Sequence, residues 1–237
     1  MPRRLCAFAP RERSGWIMAF DDRIELRSQD FRLERRLDRA GDIAPGTRLN
    51  DGRTDRFGNF VVGGMNEDGG AGGSAVFQVR PDGALGILID AVSCANSICF
   101  APDGGRMYFT DTPENRIRRY PYAEYGIGSA AILHDGSGAA DLPDGSCVDA
   151  EGGVWNARWD GAEVVRIAGD GRVTHRIALP APRPTCCAFG GDDMGTLFIT
   201  TSRLELERES LERFPLSGAL FCARPGLRGL RDRPFAG

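Results

Sequence analysis

The chain has 237 residues, 41% hydrophobic and 27% charged, with a net charge of −3. These values fit one large globular domain or two small ones, and give no electrostatic reason to expect nucleic acid or an anionic membrane as partner. No apolar run approaches the roughly 20 residues of a spanning helix. The basic start MPRRLCAFAPRERSGW lacks an apolar core, so it does not read as a secretory signal, and a soluble, cytoplasmic protein is expected.

Along the chain one pattern recurs, a Gly-containing turn followed by four or five apolar residues. The copies are SGWIMAF (14–20), DRFGNFVV (55–62), PDGGRMYFT (102–110), DAEGGVWNA (149–157) and DDMGTLFIT (192–200). Their marker glycines, Gly15, Gly58, Gly105, Gly153 and Gly195, are spaced by 43, 47, 48 and 42 residues. Each copy leads into a second strand–turn–strand segment, such as SAVFQVRPDGALGILI or EVVRIAGDGRVTHRIAL, where apolar alternation around a DG turn signals a hairpin. Four short strands per unit of this length predict the blades of a β-propeller, one domain over 1–237. The glycine-rich stretch 63–74 lacks the Lys-Ser/Thr of a phosphate loop and reads as a flexible connection. Segment 204–214, LELERESLERF, has some helical spacing but is expected to be a loop insertion.

Several chemistries are disfavoured. The seven cysteines are odd in number, mostly lie in or beside apolar runs and form no Cys-x-x-Cys pair, so they predict buried thiols rather than disulfides or a thiolate zinc site. With only His134 and His175, and no Gly-x-Ser-x-Gly, a serine triad is not expected.

In a propeller the innermost strands line an axial channel, so residues at one offset in successive blades converge. Asn50 lies 8 residues before Gly58, Asn96 lies 9 before Gly105 and Asp144 lies 9 before Gly153. That register predicts oxygen donors just before three inner strands, suited to a hard divalent cation such as Ca²⁺, Mg²⁺ or Mn²⁺, with Zn²⁺ also compatible. Taken singly, Asn-Asp-Gly and Pro-Asp-Gly are also common turn sequences. The next equivalents, Cys186 and Cys6, are not oxygen donors.

The same segments carry a resemblance. RLNDGRTDRFGNFVVGGM, CANSICFAPDGGRMYFTDT and LPDGSCVDAEGGVWNARWDG resemble ordered blocks of the SMP-30/gluconolactonase/regucalcin-like family, and WNARWDG is most similar to bacterial sugar-acid lactonases. The resemblance implies a six-bladed propeller fold, of which this chain supplies about five blades, the first incomplete or absent. It implies Asn96 and Asp144 as metal ligands, with Asp144 also the catalytic base. Arg48 and Asn50 would hold the substrate, Asn50 also reaching the metal or its water, and Glu67 or its neighbour Asp68 falls near another substrate contact. The implied reaction is metal-dependent opening of a sugar lactone, such as glucono-, arabinono- or xylonolactone. A cation polarises the ester carbonyl and acidifies water, Asp144 takes the proton, and Arg48 steadies the oxyanion. The family's N-terminal block with a metal-ligating Glu has no match here. The alternative is therefore a non-catalytic propeller that binds a cation or a sugar acid.

Overall fold

The structure, a computed structural model, describes residues 3–38 and 43–237. It contains five antiparallel sheets. The first is β1 (Leu5–Pro10), β2 (Trp16–Phe20), β3 (Ile24–Arg27) and β4 (Leu33–Arg36). The second is β5 (Thr47–Thr54), β6 (Phe60–Asn66), β7 (Ser74–Val79) and β8 (Leu85–Val92). The third comprises β9 (Ala95–Phe100), β10 (Arg106–Asp111), β11 (Arg116–Ala123), the two-residue β12 (Gly126–Ile127) and β13 (Ala131–Asp135). The fourth is β14 (Leu142–Val148), β15 (Val154–Trp159), β16 (Glu163–Ile167) and β17 (Val173–Ala178). The fifth has three strands, β18 (Pro184–Gly190), β19 (Thr196–Thr201) and β20 (Leu220–Ala223). These are the blades of a β-propeller, about five as the repeat predicts.

Burial along each strand shows how the sheets stack. A sheet covered on both faces needs near-continuous apolar strands, and one covered on a single face alternates. Strands β7 (SAVFQV) and β9 (ANSICF) are buried throughout. Strands β1 and β19, in the outer sheets, alternate buried with exposed or half-buried positions. Four apolar clusters lie between successive sheets. The outward faces of the first and fifth sheets carry exposed side chains such as Phe8 (55%) and Leu220 (64%).

The marker glycines occupy the turns between the first and second strands of each sheet. In the fourth sheet Asp149 ties this turn, its Oδ1 accepting from Glu151 N and Gly153 N and its Oδ2 from Trp155 Nε1. In the second, Asp55 does the same for Phe57 N and Asn59 N. The C-terminal segment crosses this end of the molecule. Phe235, fully buried among the first and second sheets, donates its N–H to Pro10 O, while Gly229 bridges to Asp149.

Two sequence expectations need refining. The stretch 63–74 is a loop only between β6 and β7, since residues 63–66 close β6 and Ser74 opens β7. The insertion between β19 and β20 does contain one short helix, α1 (Arg208–Arg213). No helix among the described residues is long and apolar enough to cross a membrane.

Candidate active site

Asn50, Asn96 and Asp144 do not precede the inner strands, as the register argument expects; they lie inside β5, β9 and β14. The reason is a repeated β-bulge. In β5, Leu49 pairs with Gly64 and Gly52 with Val62, so Asn50 and Asp51 together face one partner residue. In β9 the two bulged residues are Ser97 and Ile98, and in β14 they are Asp144 and Gly145. Strands β1 and β18 each carry one extra residue, Cys6 and Thr185. A bulge turns side chains that would otherwise alternate across the sheet. Here it sits at the same level in all five inner strands. Turn-like sequences such as NDG and PDG supply the small and polar residues a bulge tolerates, which is why they resemble loops when read alone.

These positions line one cavity of about 530 Å³ on the axis, bordered by Asn50, Asp51, Asn96, Asp144, Cys6 and Cys186 among others. Deeper along the axis, Arg53 reaches across to Ser146 O at 2.9 Å and to Asp232 Oδ2 at 2.5 Å. Gly145 permits the close approach of the fourth and fifth sheets; a Cβ there would meet Cys186 Sγ at 2.6 Å.

The polar contacts at the cavity mouth form a directed chain. Arg48 Nη1 donates to Asn50 Oδ1 at 2.8 Å, and Asn50 Nδ2 donates to Ala95 O at 2.9 Å and to Asn96 Oδ1 at 3.3 Å. Asn96 Nδ2 donates to Thr112 Oγ1 at 2.9 Å, and that hydroxyl spends its only proton on Pro143 O at 3.0 Å. Turned over, the Asn96 amide donates to Asp144 Oδ1 at 2.9 Å and Ala95 O at 3.2 Å while its oxygen accepts from Thr112 Oγ1 at 2.9 Å, an orientation that pairs both of its polar atoms. The amide atom facing Asp144 Oδ1 is 2.9 Å from it.

Asp144 is otherwise poorly compensated. Burial first, and then the negative charge of Asp51, push its carboxyl well above the ordinary carboxylate range, with the Gly145 N–H and Arg48 opposing. Asp51 is raised as well, by burial, although its Oδ2 accepts from Ile98 N at 2.8 Å. Glu67 stands at the rim, 2.7 Å from Arg4 Nη1 and 3.5 Å from Arg48 Nε, and its contact with Arg4 lowers its pKa. The geometry thus brings Arg48, Asn50, Asn96 and Asp144 together, with Glu67 joined to the group through Arg48.

The donors suit a hard divalent cation: one carboxylate and amide oxygens, with a second carboxylate on the same wall. No group of three or more His, Cys, Asp or Glu side chains forms a metal cluster among the described residues, so amides must contribute. The thiols do not. All seven cysteines are free, and burial pushes Cys94 up to about 11 and Cys186 up to about 12, so neither is a thiolate near neutral pH.

Sequence reasoning missed Asp51, although it adjoins Asn50 in the NDG motif. It also missed Thr112, whose hydroxyl contacts the Asn96 amide, and Asp111, whose carboxylate accepts from Ser93 N and Cys94 N and holds the chain entering β9. The TDT at the end of β10 was the available signal.

An all-β propeller with amide and carboxylate donors converging at one mouth of its axis defines a class that comparison with known proteins specifies. The family model of the SMP-30/Gluconolactonase/LRE-like region matches residues 1–203, and the chain belongs to that family. It is 35% identical to 6-deoxy-6-sulfogluconolactonase of Pseudomonas putida over 239 aligned positions, covering 100% of this chain and 82% of that protein. It is 39% identical to L-arabinolactonase of Azospirillum brasilense, over 81% of this chain and 64% of that protein. Among solved structures, regucalcin from Agrobacterium tumefaciens, described as a calcium-binding protein, superposes with a TM-score of 0.94 at 32% identity, covering 100% of this chain and 81% of that one.

Proposed function

We propose that this protein hydrolyses a sugar lactone to the corresponding sugar acid at the cavity mouth, with a divalent cation held by Asn96 and Asp144. The convergence of Asn50, Asn96 and Asp144 from three blades on one cavity carries this reading, because it places a buried, weakly compensated carboxyl beside side-chain amide groups where a cation would be stabilised. Relatives named as lactonases acting on sugar-derived rings support the substrate class.

A divalent cation at this position supplies Lewis acidity that polarises the lactone carbonyl and acidifies water. Asp144 accepts the proton of the attacking water as its oxygen bonds to the carbonyl carbon. The ring C–O bond breaks as the tetrahedral carbon collapses, and the proton passes from Asp144 to the departing ring oxygen. Arg48, held in place through Asn50 and Glu67, binds sugar oxygens and stabilises the developing oxyanion. The cavity volume lies in the range of small-molecule sites, roughly 300–1,000 Å³.

The test is turnover of glucono-, arabinono- and xylonolactone by pH-stat, with Ca²⁺, Mg²⁺, Mn²⁺ or Zn²⁺ added and with a chelator, beside an aryl ester. Chelator-sensitive opening of an aldonolactone that is abolished in Asp144→Ala is expected. Unchanged turnover in that variant removes the proposal, and turnover of the aryl ester alone assigns a different ester substrate.

A further inference from the structure

Behind the cavity wall lies a polar cluster that the proposed chemistry does not use. Ser97, Ser146 and Asn156 are essentially inaccessible to solvent. The two N–H groups of Asn156 Nδ2 are shared among three acceptors, Ser97 Oγ at 3.0 Å, Asp144 O at 2.9 Å and Ser146 Oγ at 3.0 Å. Ser97 Oγ in turn donates to Asp144 O at 2.8 Å, and Ser146 Oγ donates to Ser97 Oγ at 3.1 Å. The amide orientation of Asn156 is set from the far side, where Arg158 Nη1 reaches its Oδ1 at 3.4 Å while Arg158 Nε pairs with Asp141 at 2.5 Å. Every side-chain polar atom of the three residues is paired.

The placement of these bonds matters more than their number. Two of the residues they join, Ser97 and Asp144, belong to the bulges of neighbouring blades, next to or bearing the two proposed cation donors. Ser97 has a φ of +58°, a left-handed backbone that a side-chain-bearing residue adopts only when its surroundings hold it. That backbone turn carries Asn96 toward the axis. The neighbouring Asp144 carbonyl is gripped twice, which fixes its own bulge. A fully satisfied buried network in a low-dielectric setting is stiff.

We propose that Asn156, acting through Ser97 and Ser146, is a positioning residue that sets the separation of Asn96 and Asp144. The inference rests on the lactonase reading for its consequence in catalysis, though not for its geometry. Asn156 touches neither cavity nor substrate. It acts as an outer partner of the donors, and loss of such partners typically weakens metal affinity or activity by about 10- to 100-fold.

The test uses Asn156→Leu, close in volume but without the donor, and Ser97→Ala, which removes one hydroxyl and serves if the first variant does not fold. Hydrogen–deuterium exchange is measured at 96–98 and 144–146, with the hairpin 24–36 of the first sheet as internal control. Ca²⁺ affinity is measured by calorimetry, and kcat and KM with the lactone the wild type prefers. Expected are faster exchange confined to the two bulges, Ca²⁺ affinity weaker by about 10- to 100-fold, and a fall in kcat larger than any change in KM. Unchanged exchange at both bulges overturns the proposal. So does a lowered melting temperature with Ca²⁺ affinity and kcat within about threefold of the wild type, since that is a purely structural role. If the wild type itself neither binds Ca²⁺ nor opens a lactone, the functional reading fails, and the exchange data alone decide the positioning claim.

Discussion

A carboxylate kept in a channel with too few partners weakens the fold unless something binds to it. Asp144 is in that position, its pKa raised by burial and by Asp51. A carboxyl whose folded pKa is raised contributes most favourably below its unfolded value. Stability is then lost as pH rises from the ordinary carboxylate range, near 4, up through the folded pKa. Asp144→Asn is therefore expected to raise the melting temperature of the chelator-treated protein at neutral pH, with the gain vanishing below about pH 4. The same variant should lose lactone opening and any Ca²⁺-dependent rise in melting temperature. Thermal scans across pH with and without Ca²⁺ check this, and an asparagine variant less stable than the wild type at neutral pH contradicts it. Arg48 offers a second residue-scale test. Its guanidinium bonds Leu49 O and Asn50 Oδ1 with one nitrogen and faces Glu67 with another, a fork that lysine does not reproduce. Arg48→Lys should lower kcat/KM about tenfold, with both a higher KM and a lower kcat, because roughly one charge-assisted contact to the sugar and the developing oxyanion is lost.

At the scale of the strand, the inner-strand bulge is the device that makes the site, and it is the least legible feature of the chain. The offsets of Asn50, Asn96 and Asp144 from their glycines are visible in the sequence and group these residues correctly, but spacing alone puts them ahead of the strands. Whether NDG turns the chain or bulges within a ladder depends on the strand beside it, which in β5 is Phe60–Asn66 and lies beyond any local window. Glu67 is legible only as a rim position, and its connection to Arg48 is made by folding. Gly145 tests the packing around one bulge. Its missing side chain leaves room for Cys186 Sγ and the Thr185 carbonyl, which a Cβ at this position would meet at 2.6 and 2.9 Å. Gly145→Ala should cost about 1–3 kcal/mol in urea unfolding, the usual range for overpacking, and should depress lactone turnover through the adjoining Asp144. A neutral effect on both would show that the fourth and fifth sheets separate easily.

Across the whole molecule, successive sheets are joined by apolar seams, and the C-terminal segment adds a tie across one end. Phe235 is the anchor of that tie, fully buried and bonded through its backbone to Pro10 and Glu12. Phe235→Ala should destabilise the protein by about 3–5 kcal/mol, as large-to-small changes at fully packed aromatic positions do. Denaturant titration measures it, and a loss below about 1 kcal/mol would show that the tail does not hold the blades.

The propeller itself is open to a reader of the sequence, because a repeat of hairpins is a local pattern and strand alternation is set by the geometry of each strand. The identities of the inward residues follow from that period. What folding alone decided is which atoms meet: the Asn96 amide against Thr112, the carboxylates of Asp51 and Asp144 on one wall, and Asn156 bridging two blades. Each of these contacts joins residues from different strands or blades, and such distances are fixed only once the sheets are stacked around a common axis.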